Sequence, residues 1–238
     1  MIYGYYKLIY FLPIALVTGP FLPDLIVVIC SLLFLFDSFK LNLFKYYNNN
    51  FFKLFLLFFI LINLSSLFSK DFTSFKYTVG YIRYGIFAIF LFYVLKNFEE
   101  AKFYLGYSII FVFIILIIDG FTQFIFGKNI FFFELQKYNS ELSYVTSFFN
   151  DEKKLGSFLS RMFPLLAISF ILLIKKFNKF SYKLMFSFII ISTFILIFLS
   201  TERVAIFIIC IFIFIVFLKS NFLLKPKIIW LISTCLAL

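Results

Sequence analysis

The sequence predicts an all-α, polytopic membrane protein, with about eight transmembrane helices and the start of a ninth. Two observations carry that prediction. Hydrophobic residues make up 64% of the 238-residue chain, and mean hydropathy is +1.08. A soluble domain is about 45–50% apolar, and no soluble fold hides this much apolar surface, so lipid is the expected solvent for most of it. The apolar stretches are also continuous. A membrane β-barrel would alternate apolar and polar residues along each strand.

The elements follow in order as apolar runs at about 8–22, 22–39, 52–69, 78–95, 105–126, 155–174, 184–200 and 204–218. The first two are short and joined by TGPFLPD (18–24), whose two prolines and glycine predict a tight turn. A last run, 228–238, is too short to span alone and reads as the beginning of a ninth helix, so the chain is expected to be one transmembrane domain incomplete at its C-terminus. No small-residue cleavage site follows the first run, so no cleavable signal peptide is expected. The connection at 127–154 is the one long loop between runs.

The formal charge of +11 does not point to nucleic acid, because the lysines fall in short clusters between apolar runs rather than on one basic face. With the N-terminus placed in the cytoplasm, the inside segments hold Lys7, Lys40, Lys45, Lys53, Lys96, Lys102, Lys175, Lys176, Lys179, Lys183, Lys219, Lys225 and Lys227. That orientation follows the positive-inside rule and places the 127–154 loop outside. The three arginines, Arg83, Arg161 and Arg203, all fall at outer ends of expected helices. A guanidinium binds phosphate as a planar fork and stays charged. The plain alternative is helix-end anchoring by snorkelling.

Cys30, Cys210 and Cys235 lie inside apolar runs and read as small buried hydrophobes. The chain has no histidine, which excludes a His-bearing zinc site or a Ser-His-Asp triad within it. No Walker motif, dinucleotide fingerprint or metal-ligand cluster is present.

The densest polar cluster is SFFNDEKKLGSFLSR (147–161). Asn150 is a good N-cap, and Asp151 and Glu152 would then stand in the first helical turn. Lys154, Ser157 and Arg161 share one face. Gly156 permits close approach, and Pro164 frees the carbonyl of Ser160. Read this way, Arg161 lies more than two turns into the helix. Asp119 and Gln123 are one turn apart in the run before the loop. An acid in such a place needs a partner, expected to be Arg161 or Arg83. Asn63, Ser65 and Ser66 read as helix-packing polars. Glu202, next to Arg203 at a tight turn, is expected to pair with a nearby Lys or Arg.

The order LPIALVTGPFLPD, IDGFTQFIFGKNI, TSFFNDEKKLGSFLSRMFP and FLSTERVAIFIICIFIFIVF resembles the O-antigen ligase and O-antigen polymerase superfamily of bacterial envelope proteins over about residues 12–218. The resemblance implies an inner-membrane glycosyltransferase that needs no metal or cofactor. Its donor would be a polyprenyl-diphosphate-linked glycan in the outer leaflet. Its acceptor would be the lipid A core for a ligase, or another glycan repeat for a polymerase. It further implies that Arg161 and Arg203, and less directly Arg83, meet the diphosphate; Lys154, on the face of Arg161, is a further candidate for that contact. Glu152 and Asp119 are the candidate catalytic carboxylates. The family pattern continues into a second outer loop, where ligases carry a functional histidine, and this sequence has none. A transporter or flippase for an anionic lipid-linked glycan, or a non-catalytic truncated relic, remains open as an alternative.

Overall fold

The computed structural model describes residues 2–68, 72–138, 142–150, 152–177 and 180–219. It divides into two compact units, Met1–Ser108 and Ile109–Leu238.

The first unit opens with a helical turn α1 (Ile2–Tyr5), a 3-10 segment (Tyr6–Phe11) and α2 (Leu12–Thr18). Gly19, at φ +121°, and Pro20 break the chain before α3 (Phe21–Lys40). The expected seven-residue turn is therefore only two residues long, because Phe21 to Asp24 already belong to α3. A 3-10 turn (Leu43–Tyr46) leads to α4 (Asn50–Phe68), α5 (Phe72–Gly80) and α6 (Ile82–Asn97). Helix α3 packs on α6. Between them Cys30, Phe34, Ile89, Phe90 and Val94 form a buried core that Ile9 completes. Asn63 and Ser66 of α4 both bond the Thr78 hydroxyl of α5, at 3.2 and 3.0 Å, which is the helix-packing role expected of them.

Helix α7 (Glu99–Phe126) runs from the first unit into the second. Gly127, at φ +75°, ends it in a left-handed conformation that costs glycine little. The loop that follows contains a hairpin absent from the sequence reading. Its strands β1 (Gln136–Tyr138) and β2 (Leu142–Tyr144) are antiparallel, with Lys137 opposite Ser143. Three-residue strands leave too short an alternation to be read from sequence.

Three helices complete the second unit: α8 (Leu155–Phe177), α9 (Phe180–Leu199) and α10 (Arg203–Lys219). Helix α8 packs on both others, burying Leu159, Leu166, Phe170, Leu196 and Ile209. Pro164 stands inside α8.

Each of the eight apolar runs becomes helical, but only six helical spans among the described residues are long and apolar enough to cross a membrane: α3, α4, α7, α8, α9, and α5 with α6 taken together over Thr73–Asn97. The segments Tyr6–Thr18 and Arg203–Val216 are apolar and shorter. The expected ninth run, 228–238, lies outside the described residues. Much of the apolar surface faces outward. On α4 Leu54, Leu57, Phe58, Ile60 and Leu61 are all exposed, as suits helices contacting a bilayer.

Candidate functional site

Two buried polar layers meet at one end of the second unit. The first hangs the 127–150 loop on the last turns of α7. Asp119, fully buried, accepts hydrogen bonds from Ser147 Oγ at 2.6 Å, Ile130 N at 3.0 Å and Asn129 Nδ2 at 3.2 Å. One turn later, Gln123 Oε1 accepts the amides of Thr146 and Ser147 at 2.9 and 2.7 Å. Its Nε2 donates to the Glu134 carbonyl and to Thr146 Oγ1, both at 3.2 Å. Asn129 donates to the Ser147 carbonyl as well and accepts the amides of Phe131 and Phe133.

Asp119 therefore does not pair with Arg161 or Arg83, as the sequence led us to expect. Its partners come from the loop, because α7 ends only seven residues beyond it and the chain turns straight back. An α-helix exposes no unsatisfied donor in mid-span, so a buried carboxylate takes its bonds from whatever irregular backbone lies against it.

The second layer is the start of α8. The helix does not begin after Asn150. That residue, at φ +51°, closes the 3-10 turn Ser147–Phe149 instead, and Asp151 lies outside the described residues. Helix α8 starts at Leu155 and is capped from 46 positions away. Glu202 Oε1 accepts the Gly156 amide at 2.7 Å and Oε2 accepts the Ser157 amide at 2.9 Å. The Ser157 hydroxyl bonds the same Oε2. The carboxylate thus fills two of the amides that a helix start leaves open and meets the positive end of the dipole. Glu202 was expected to pair with a Lys or Arg; the cap takes its place.

Close packing makes this cap possible. A Cβ at Gly156 would stand 2.3 Å from Ser200 Oγ and 3.2 Å from the Cβ atoms of Ala205 and Glu202. The Val145 amide, donating to the Leu199 carbonyl at 3.1 Å, ties the loop to the same end of α9.

Arg161 and Arg203 both lie exposed on the packed pair α8 and α10. With α8 starting at Leu155, Arg161 is only its seventh residue, about 9 Å of helix rise from the start. It is much shallower than the sequence suggested. Arg203 is the first residue of α10, next in sequence to the capping Glu202. Neither guanidinium has a hydrogen bond or ion pair among the described residues.

Arg83 differs. It belongs to the first unit and forms an ion pair with Asp24 at 2.7 Å, with side chains 35% and 39% exposed. Tyr84 bridges the two, accepting from Arg83 and donating to Asp24, both at 3.2 Å. Lys154 pairs with Glu152, and both are exposed. Among the described residues no cluster of acidic or cysteine side chains could hold a metal ion.

Sequence reasoning missed Thr146, Ser147 and Ser200 as parts of these layers. The signal for the first two was present as a pair of small polar residues directly before Phe148 and Phe149. Comparison with protein-family models, with curated proteins and with solved structures gives no match.

Proposed function

We propose that the protein is a glycosyltransferase of the O-antigen ligase or polymerase kind, acting in the bacterial inner membrane on a polyprenyl-diphosphate-linked glycan. One observation carries the proposal. Arg161 and Arg203 are exposed without an anionic partner among the described residues on two helices packed together, while Glu202, next in sequence to Arg203, is spent on the α8 amides. Two uncompensated guanidinium groups at the edge of a membrane domain suit a ligand that brings its own negative charge.

In the reaction the acceptor hydroxyl attacks the anomeric carbon of the donor. The bond from that carbon to the diphosphate oxygen breaks, and its electron pair leaves with the polyprenyl diphosphate. Cations that close on the diphosphate stabilise that charge as it develops. Arg161 and Arg203 take this role; Lys154 joins them only when the incoming diphosphate displaces its partner Glu152. Arg83 is secondary, since Asp24 already neutralises it. The hydroxyl proton passes to Glu152, the exposed acid in the connection before α8. Asp119 is better suited to holding the loop, because both its oxygens already accept hydrogen bonds. The N-terminus would be cytoplasmic and this end of the second unit would face outward. The acceptor would be the lipid A core or a growing glycan.

The test is lipopolysaccharide banding in a deletion strain carrying the Arg161→Lys gene. Lost or shortened ladders, with donor accumulating in the outer leaflet, support transfer. Donor held in the cytoplasmic leaflet would instead assign the arginines to transport, and unchanged banding would contradict both.

A further inference from the structure

The turn at residues 129–133 shows an unusual combination of burial and exposure. Its backbone is locked from beneath, yet the side chains at its tip are largely exposed, with Phe131 also edge-on to the Phe148 ring at 5.1 Å between centroids. Ile130, Phe131 and Phe132 are 56%, 59% and 81% exposed, and Ile125 and Phe126 continue the exposed apolar surface onto the end of α7.

Every backbone amide of the turn is satisfied within the protein. Asn129 N donates to the Phe133 carbonyl, and Phe132 N to the Asn129 carbonyl, both at 3.0 Å. Ile130 N donates to Asp119 Oδ1 at 3.0 Å. Phe131 N and Phe133 N donate to Asn129 Oδ1 at 3.0 and 2.8 Å. Asn-led turns in water also bond internally, although there water can supply the partners. Irregular backbone at membrane depth must bond internally, because unpaired amides are costly there. Phe132 also holds φ +64°, a left-handed conformation rare for a bulky residue.

The depth of the turn fits. Asp119 lies seven residues before the end of α7, about 10 Å of rise, and the Ile130 amide touches it. The chain therefore folds back down the helix. Lys102 is the last charge before Asp119 on α7, and about 20 helical residues cross a hydrocarbon core of about 30 Å. Counted from Lys102, they end near Thr122, so Asp119 and the turn it holds lie on the lipid side of that level.

We propose that residues 129–133 form a re-entrant wedge whose Ile130, Phe131 and Phe132 side chains sit in the interfacial layer of the bilayer. Asn129 is the lock that lets the backbone enter lipid, and Lys128 and Glu134, paired at 3.0 Å, mark its neck. The wedge does not depend on the transferase reading.

A tryptophan placed at the tip reads the depth. Trp230→Phe removes the one native tryptophan. In that background the whole chain carries either Phe132→Trp or, as reference, Ser143→Trp at an exposed position of β2. Both are measured in phosphatidylcholine vesicles brominated near the headgroup end of the acyl chains, and with aqueous iodide. Tryptophan at 132 should be quenched by the brominated lipid and should resist iodide several-fold better than at 143. Ready iodide quenching at 132 with no quenching by the brominated lipid overturns the proposal by placing the tip in water. Protection of 132 from both quenchers also overturns it, by placing the tip against protein. Adding Asn129→Ala should raise iodide quenching at 132, and unchanged quenching would remove Asn129 from its role as lock.

Discussion

The Glu202 carboxylate closes the N-terminus of α8, accepting the Gly156 amide at 2.7 Å from across the α9–α10 turn. The bond joins the two helices that carry Arg161 and Arg203. It also takes up the acid that would otherwise stand beside those arginines.

Removing this cap should loosen the end of the second unit. Glu202→Ala deletes three hydrogen bonds to one carboxylate, and loss of a helix cap costs about 1–2 kcal/mol. Thermal unfolding in detergent should show a lower midpoint for Glu202→Ala than for Ser157→Ala, which loses only the hydroxyl bond. Equal midpoints for the two variants would argue against the cap.

Gly156→Ala should destabilise through crowding. The new Cβ would meet Ser200 Oγ at 2.3 Å, with two further carbons at 3.2 Å, and overpacking of this kind costs about 1–3 kcal/mol. Adding Ser200→Gly should recover part of the loss, so a double-mutant cycle should show coupling between the positions. Strictly additive effects would mean that the helices do not approach this closely.

The α7 network should govern protection of the loop. In Gln123→Ala the amides of Thr146 and Ser147 lose their shared acceptor. Hydrogen exchange at these two positions should accelerate, while exchange in the α8 interior should not change. Proteolysis within 142–150 should rise in parallel. Retained protection at both amides would contradict the assigned role of Gln123.

Much of this architecture was legible in the sequence because lipid imposes a long-range rule on local composition. A run of about 20 apolar residues has few structural options, and the runs at 22–39, 105–126 and 155–174 became α3, α7 and α8. The start of α8 was misread for the opposite reason. Asn150 followed by acids is a strong local cap signal, yet the acceptor that closes this helix is Glu202, 46 residues from Gly156. A cap supplied through tertiary packing leaves no trace near the helix it serves. Asp119 gave a similar half-answer. Its need for partners followed from its apolar surroundings, but their identity depended on how Gly127 turns the chain, which brings Asn129 and Ser147 rather than an arginine. Gly156 was read correctly, because a glycine beside polar residues in an apolar helix signals close approach wherever the neighbour comes from.

The proposed binding of a lipid-linked glycan's diphosphate by Arg161 and Arg203 is tested most directly by lipopolysaccharide banding in a deletion strain carrying the gene with both Arg161→Lys and Arg203→Lys. Lysine keeps the charge and loses the planar fork, so expression should be normal while glycan transfer fails and lipid-linked donor accumulates in the outer leaflet. A normal ladder from the doubly substituted protein, at normal expression, would contradict the claim.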